Sequence, residues 1–117
     1  MAVDHGVAGI QVSNHGGRNL DDVPASITVL PRIVDAVNGR MTIVIDGGIR
    51  RGQDVFKALA LGANAVAIAR PIMYGLALGG WMGVQTVHEH LKGELEITMR
   101  LAGAKSISEI SKHYLNA

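Results

Sequence analysis

Three short apolar segments, each followed by a polar loop, constrain the fold of this chain more than any other feature. They are VAGIQVS at 7–13, MTIVI at 41–45 and AVAI at 65–68. Continuous apolar runs of this length, rich in β-branched residues, are typical of strands buried on both faces of a sheet. Helical spacing of apolar residues at 25–37 and 53–61 predicts a helix after each of the first two strands. Strand, loop and helix in repeated order favour an α/β fold, with a parallel sheet covered by helices.

The C-terminal part of the chain is predicted to be helical. A long segment from 71 to about 102 and a shorter one from 106 to 114 are predicted as helices, with glycine interruptions. Pro31 is compatible with the helix at 25–37 only near its first turn, because proline lacks the N–H that later turns use.

The length of the chain limits how much of a fold it can complete. It has 117 residues, whereas a closed barrel of eight strands takes roughly 200–250 residues. Three strands leave the first and the third with unpaired edges and leave apolar helix faces uncovered, which favours self-association. We therefore expect residues 1–117 to form one partial α/β domain.

Composition excludes several classes of protein. Eleven Lys and Arg against ten Asp and Glu leave a net charge of +1, which gives no basis for binding nucleic acid or an anionic membrane. The absence of cysteine excludes disulfides and thiolate chemistry. The most apolar stretch, at 71–87, contains four glycines and a glutamine, so it does not predict a membrane span. Because the sequence also lacks a signal-peptide pattern, the protein is expected to be cytoplasmic.

The loop after the first strand, SNHGGR at 13–18, carries candidate catalytic residues. An imidazole such as that of His15 can act as a general base, and the guanidinium of Arg18 offers two parallel N–H donors to a carboxylate. Gly16 and Gly17 let a ligand approach the backbone closely. The loop therefore suits a small carboxylate substrate. The alternative is that both side chains only bond backbone carbonyls in a turn.

The loop after the second strand, DGGIR at 46–50, leads into the start of a helix. Backbone N–H groups at a helix N-terminus, together with Arg50, predict a phosphate site. Arg70, just beyond the third strand, adds another cation, and barrels frequently bind phosphate with the loops after their last two strands. The alternative is a turn with a solvated pair of arginines.

Two further features favour structural roles over chemistry. His88, Glu89 and His90 look like metal ligands, but residues two apart on a helix point to different faces, so no metal site is predicted. The apolar side chains between 76 and 84 are predicted to be core or subunit interface.

Three motifs together resemble a known family. SNHGGR at 13–18, DGGIRRGQDVFKALALGA at 46–63 and ARP at 69–71 resemble the C-terminal part of the FMN-dependent 2-hydroxy-acid oxidases and dehydrogenases. LALGGW at 76–81 resembles the lactate oxidase branch more than the glycolate oxidases. The resemblance covers nearly the whole chain. It implies a TIM (β/α)8 barrel in which the three strands here are the sixth, seventh and eighth.

The resemblance also implies roles for the loop residues. His15 is the general base that takes a proton from the substrate as its α-carbon is oxidised, Arg18 holds the substrate carboxylate, and Ser13 lies beside the flavin. The residues expected to bind the ribityl chain and phosphate of FMN are Asp46, Gly47, Gly48, Ile49, Arg50, Ala69 and Arg70. The family usually has glycine where this chain has Ala69. The added methyl group crowds the phosphate, and a backbone N–H contact survives there if φ is negative.

The implied activity is oxidation of an L-2-hydroxy acid, L-lactate above all, to the 2-oxo acid. In the family, the first five strands supply a lysine near the flavin ring, further substrate contacts and a carboxylate partner for the base. The 117-residue chain is therefore expected to be inactive alone. A homo-oligomer is expected, as in intact relatives. Two alternatives stay open: a non-catalytic half-barrel that self-associates, and another FMN- or phosphate-binding barrel such as a flavin-dependent isoprenoid isomerase, against which SNHGGR argues.

Overall fold

A computed structural model describes residues 2–115, and three parallel strands form its sheet in the order β1-β2-β3. The bounds of the strands are Gly9–Val12, Thr42–Ile45 and Ala65–Val66. The predicted parallel α/β arrangement is confirmed, with β1 and β3 as its edges. Val12 pairs with Ile45, and Ile45 pairs with Val66, so the three strands end at the same level. The loops that follow the strands therefore lie side by side.

Three α-helices follow the strands, close to where the sequence predicts them. The bounds of α1, α2 and α3 are Ser26–Val37, Gly52–Ala60 and Arg70–Ala102. Pro31 lies at the sixth position of α1, beyond the first turn, so the prediction for this residue was wrong. The helix accommodates it at the cost of one backbone hydrogen bond, and the adjacent Leu30, fully buried, holds this turn against the sheet.

The predicted helix at 106–114 is wrong. The segment forms two 3₁₀ turns, Ile107–Glu109 and Lys112–Tyr114, each preceded by a serine with extended backbone. The ring of Tyr114 meets Phe56 of α2 edge-on, with centroids 5.7 Å apart. Packing against α2 thus outweighs the local helical pattern. The other 3₁₀ turns are Ala2–His5 and His15–Gly17.

The helices cover one face of the sheet. On that face Val12, Ile43 and Ile45 belong to one buried cluster with Leu30 of α1 and Ala58 of α2. Ile45 and Leu30 are completely buried, and each contributes roughly 1.5–3 kcal/mol of hydrophobic stabilisation. This cluster holds the strands against α1 and α2 in the register in which all three end at the same level.

The opposite face of the sheet is open. Gln11, Thr42 and Ala65 are exposed there, and Val44 is half-buried. The prediction that the strands are buried on both faces is therefore wrong for the part of the chain described. The apolar runs are continuous, but α1 and α2 pack into the same cluster on one side.

A break divides α3 into two arms, 70–78 and 81–102. Gly79 and Gly80 leave helical geometry at the break, and the φ of Gly80 is 57°. A positive φ suits glycine, because it has no Cβ to collide with the neighbouring carbonyl.

The two arms of α3 fold back on each other at two further glycines. The backbones of Gly75 and Gly83 touch, and a Cβ added to Gly75 would lie 2.6 Å from the carbonyl oxygen of Gly83. The second arm packs along α2, where the Glu94 carboxylate accepts a hydrogen bond of 2.7 Å from the N–H of Gly52. This bond joins the second arm to the start of α2, next to the second loop.

Apolar side chains near the break face solvent. Leu78 is 90% exposed and Trp81 is 73% exposed. The prediction that the stretch at 76–84 forms core is therefore wrong, and its alternative, a subunit interface, stays a prediction. Between residues 2 and 115, no helix combines the length and the hydropathy that a membrane crossing requires.

Candidate functional site

The three loops that follow the strands line one cavity of about 750 Å³. Nine of the ten predicted site residues line it: His15, Arg18, Asp46, Gly47, Gly48, Ile49, Arg50, Ala69 and Arg70. The tenth, Ser13, lies outside the lining. Because the parallel strands end at one level, residues from three separate loops meet in one place.

Short-range hydrogen bonds hold the loop after β1. The hydroxyl of Ser13 accepts from the N–H of His15, and the side-chain oxygen of Asn14 accepts from the N–H of Gly16, both at 3.0 Å. The φ of His15 is 54°, which is uncommon for a residue with a side chain. Asn14 was missed as a supporting residue, although asparagine is a common turn residue whose side chain bonds the backbone N–H two residues further on. The predicted place of Ser13 beside the flavin stays a prediction.

The imidazole of His15 is exposed and faces the cavity that it shares with Arg18. Its Nδ1 lies 3.1 Å from the side-chain amide of Asn19, so Nε2 is the ring nitrogen left for a ligand. The amide nitrogen of Asn19 can only donate to Nδ1, whereas a half-turn of the amide would present its oxygen as the acceptor of an Nδ1–H. Among residues 2–115, no carboxylate forms an ion pair with His15.

The loop after β2 combines a glycine turn with a fixed arginine. Gly47 and Gly48 have φ values of 88° and 78°, in the region that favours glycine. The carboxylate of Asp54 accepts hydrogen bonds of 3.0 Å from the N–H groups of Arg50 and Arg51. This cap at the start of α2 sets the point from which the Arg50 side chain leaves the loop.

The loop after β3 places the N-terminus of α3 at the cavity. Ala69 precedes the helix with φ −120°, so the condition for an N–H contact at this position is met. The guanidinium of Arg70 lies over the first loop, since a Cβ added to Gly16 would be 2.9 Å from its Nη2. Arg70 therefore connects the third loop with the first.

The sequence analysis missed two polar residues of the cavity lining, Gln11 and Tyr74. The amide nitrogen of Gln11 donates a hydrogen bond of 2.5 Å to Oδ2 of Asp46. Gln11 is the one polar side chain of β1, and a polar residue inside an apolar strand is a signal that could have found it. Tyr74 lies one turn into α3, and the apolar character of its surroundings in the sequence conceals it.

The cavity favours an anionic ligand. Arg18, Arg50 and Arg70 line it together with a single acidic residue, Asp46. Oδ1 of Asp46 is buried and has no hydrogen-bond partner in the part of the chain described. Across residues 2–115, His, Cys, Asp and Glu side chains form no group of three that could hold a metal ion.

Fold and site together define an α/β protein with a cationic cavity at the carboxyl ends of parallel strands. The sequence matches the FMN-dependent dehydrogenase family along residues 1–117, and the chain belongs to that family. This match confirms the family resemblance that the motifs indicate. It also confirms FMN as the cofactor of the family.

Individual relatives agree with this assignment. The chain is 60% identical to an L-lactate oxidase of Lentilactobacillus hilgardii, over 93% of this chain and 30% of the relative. Among solved structures, a protein of Pediococcus acidilactici described as a lactate oxidase is 59% identical, with a TM-score of 0.92 over 95% of this chain and 31% of its own. A mandelate oxidase variant with an FMN adduct is 50% identical, with a TM-score of 0.89 over 92% of this chain and 34% of its own. The chain thus spans about a third of the length of these relatives.

Proposed function

We propose that this chain forms the phosphate- and carboxylate-binding part of an FMN-dependent oxidase that converts an L-2-hydroxy acid to the 2-oxo acid. The observation that carries the proposal is the single cavity of about 750 Å³, which gathers candidate residues from all three loops. The identity to L-lactate oxidases supports L-lactate as the substrate. In this proposal β1, β2 and β3 are the sixth, seventh and eighth strands of a TIM barrel, and the enzyme is a homo-oligomer.

The residues of the cavity fit FMN. Arg50 and Arg70 are fork-shaped cations suited to the phosphate, and the turn at Gly47 and Gly48 leaves room for a ligand beside the backbone. The carboxylate of Asp46 can accept from the hydroxyls of the ribityl chain, and the backbone of Ile49 and Ala69 completes the cradle. Bound FMN supplies the acceptor for the two electrons that leave the substrate.

His15 and Arg18 act on the substrate in this proposal. Arg18 binds the carboxylate through two parallel N–H donors and so orients the α-carbon. His15 takes the substrate proton on Nε2, in the tautomer that carries its own hydrogen on Nδ1 and with the Asn19 amide turned to accept that hydrogen on its oxygen. Ser13 supports this role by accepting the N–H of His15.

The 117 residues alone are proposed to turn over no substrate. They hold a base without an ion-paired carboxylate in the part described, and they span about a third of the relatives' length. Positioning and preorganised charge supply most of the rate of an enzyme, so a partial site loses most of it.

Titration of FMN into the purified chain, followed by flavin fluorescence, tests the proposal. Binding is expected to weaken by about tenfold or more in Arg50→Ala and in Arg70→Ala, since each removes a charge-assisted contact with the phosphate. Arg100→Ala is the matched control, because Arg100 is exposed in the last turn of α3 and lies outside the cavity lining. Equal affinity in all four proteins, or no binding to the folded wild-type chain, would contradict the proposal.

A second candidate is a non-catalytic half-barrel that self-associates. The open face of the sheet and the unpaired edges of β1 and β3 favour it. The two candidates differ in whether the chain binds FMN, so the same titration separates them.

A further inference from the structure

The contact between Gln11 and Asp46 joins β1 to the loop after β2. The Gln11 amide nitrogen donates to Oδ2 of Asp46 at 2.5 Å, and the N–H of Asp46 donates to the carbonyl of Val12 at 3.1 Å. Donor and acceptor are unambiguous here, because a carboxylate only accepts and the glutamine nitrogen only donates. Backbone and side chain of Asp46 are thus both fixed to β1.

The two oxygens of Asp46 have different surroundings. Oδ1 is buried and has no partner among residues 2–115, whereas Oδ2 bonds Gln11, which is exposed at the cavity. A ligand in the cavity can therefore reach Oδ2 but not Oδ1. A carboxylate oxygen has two acceptor positions, so Oδ2 retains one after it has bonded Gln11.

The contact with Gln11 also explains how Asp46 keeps this orientation. A buried carboxylate oxygen without a partner is unfavourable, so an unrestrained Asp46 would turn both oxygens towards water. Of the polar contacts to this carboxylate among the described residues, the bond from Gln11 is the one that opposes such a rotation.

We propose that Gln11 is a positioning residue, which holds Asp46 so that the second acceptor position of Oδ2 meets a ribityl hydroxyl of FMN. This role rests on the proposed function, because it presupposes that FMN occupies the cavity. It assigns a part in cofactor binding to a strand residue on the open face of the sheet.

A double-mutant cycle on the 117-residue chain tests the proposal, with FMN affinity read from flavin fluorescence. Gln11→Ala and Asp46→Ala are each expected to weaken FMN binding by about tenfold, the effect of one hydrogen bond to a charged group. The double variant is expected to bind no more weakly than Asp46→Ala, because Gln11 acts only through Asp46. The affinity for inorganic phosphate, which has no ribityl chain, is measured by competition with FMN and is expected to be the same in Gln11→Ala and wild type.

Two variants control for indirect effects. Gln11→Glu keeps the size of the side chain but sets a negative charge against Asp46, and it is expected to weaken FMN binding at least as much as Gln11→Ala. Gln85→Ala makes the same truncation at an exposed position of α3 outside the cavity lining, and it is expected to bind like wild type.

The outcomes separate this proposal from the proposed function. The role of Gln11 would be overturned if the losses of FMN affinity in the two single variants multiplied in the double variant. It would also be overturned if phosphate bound Gln11→Ala more weakly than wild type. In both cases the proposal that the chain binds FMN would stand. A folded wild-type chain that binds no FMN would overturn the proposed function, and the role of Gln11 with it.

Discussion

At the scale of single residues, two adjacent glycines in the first loop differ in one contact. Gly16 and Gly17 have φ values of 67° and 71°, so alanine at either position costs roughly 1–2 kcal/mol of stability. A Cβ on Gly16 would also lie 2.9 Å from Nη2 of Arg70, whereas a Cβ on Gly17 would meet no atom within 4 Å. Gly16→Ala is therefore expected to displace the Arg70 guanidinium, and Gly17→Ala is not.

The comparison of the two variants isolates that contact. Thermal unfolding is expected to show similar destabilisation of both, because the backbone strain is the same. FMN affinity is expected to fall by about tenfold more in Gly16→Ala than in Gly17→Ala, since only the former moves a cation of the phosphate site. Equal FMN affinities of the two variants would mean that the contact between Gly16 and Arg70 does not affect FMN binding.

The sequence predicts most residues of the cavity because they lie in loops after strands, where polar residues have few structural roles. Gln11 could not be assigned in this way, since its partner Asp46 lies 35 residues further on and only the register of β1 with β2 brings them together. Ser13 was assigned from the family resemblance, and its place beside the flavin stays a prediction. Its hydroxyl accepts from the N–H of His15 and keeps its own hydrogen to donate.

At the scale of elements, the turn-back of α3 depends on glycines that let its arms touch. A Cβ on Gly83 would collide with the carbonyl oxygen of Gly75, and neither backbone can move without separating the arms. Gly83→Ala is therefore expected to destabilise the chain by about 1–3 kcal/mol, the usual range for overpacking. A Cβ on Gly93, in the same arm, would meet no atom within 4 Å, so Gly93→Ala is expected to stabilise by up to about 1 kcal/mol.

Urea unfolding of the two variants checks this pair, because both replace a helical glycine in one arm. Opposite signs are the expected result. If Gly83→Ala were also stabilising, the close crossing at Gly75 would not exist in solution.

Local patterns predict elements whose contacts are local and fail where distant packing decides. The periodicity of α1 and α2 predicts their bounds within about two residues, because each presents one apolar face to the sheet. The segment at 106–114 has a similar pattern, yet contacts with Phe56 on α2 hold it as two short turns. An apolar strand likewise does not reveal which of its faces a helix covers, and here one face of the sheet is open.

At the scale of the whole molecule, the uncovered surfaces predict that the 117-residue chain self-associates. Backbone groups at the outer edges of β1 and β3 lack strand partners in the described structure, and the sheet face around Val44 is not covered by a helix. The edge of β3 in one copy suits the edge of β1 in another, because both strands run in the same direction. Such a contact extends the sheet, and packing of the open faces of two copies against each other covers Val44.

Light scattering during size-exclusion chromatography measures this association directly. The mass of the wild-type chain is expected to exceed that of a monomer and to be insensitive to salt, since apolar burial and backbone pairing are little screened. Val44→Lys places a charge on the open face and is expected to shift the chain towards monomer. Leu78→Lys tests the exposed surface of α3, and Thr28→Lys, on the exposed side of α1, is the control.

The pattern among these variants decides which surface associates. Dissociation by Val44→Lys alone would place the contact at the sheet, whereas dissociation by Leu78→Lys alone would place it at α3 and contradict the prediction. A wild-type chain that stays monomeric at all concentrations would mean that a three-stranded sheet, covered on one face and unpaired at both edges, is stable in water. In that case unpaired strand edges would not drive association of this chain.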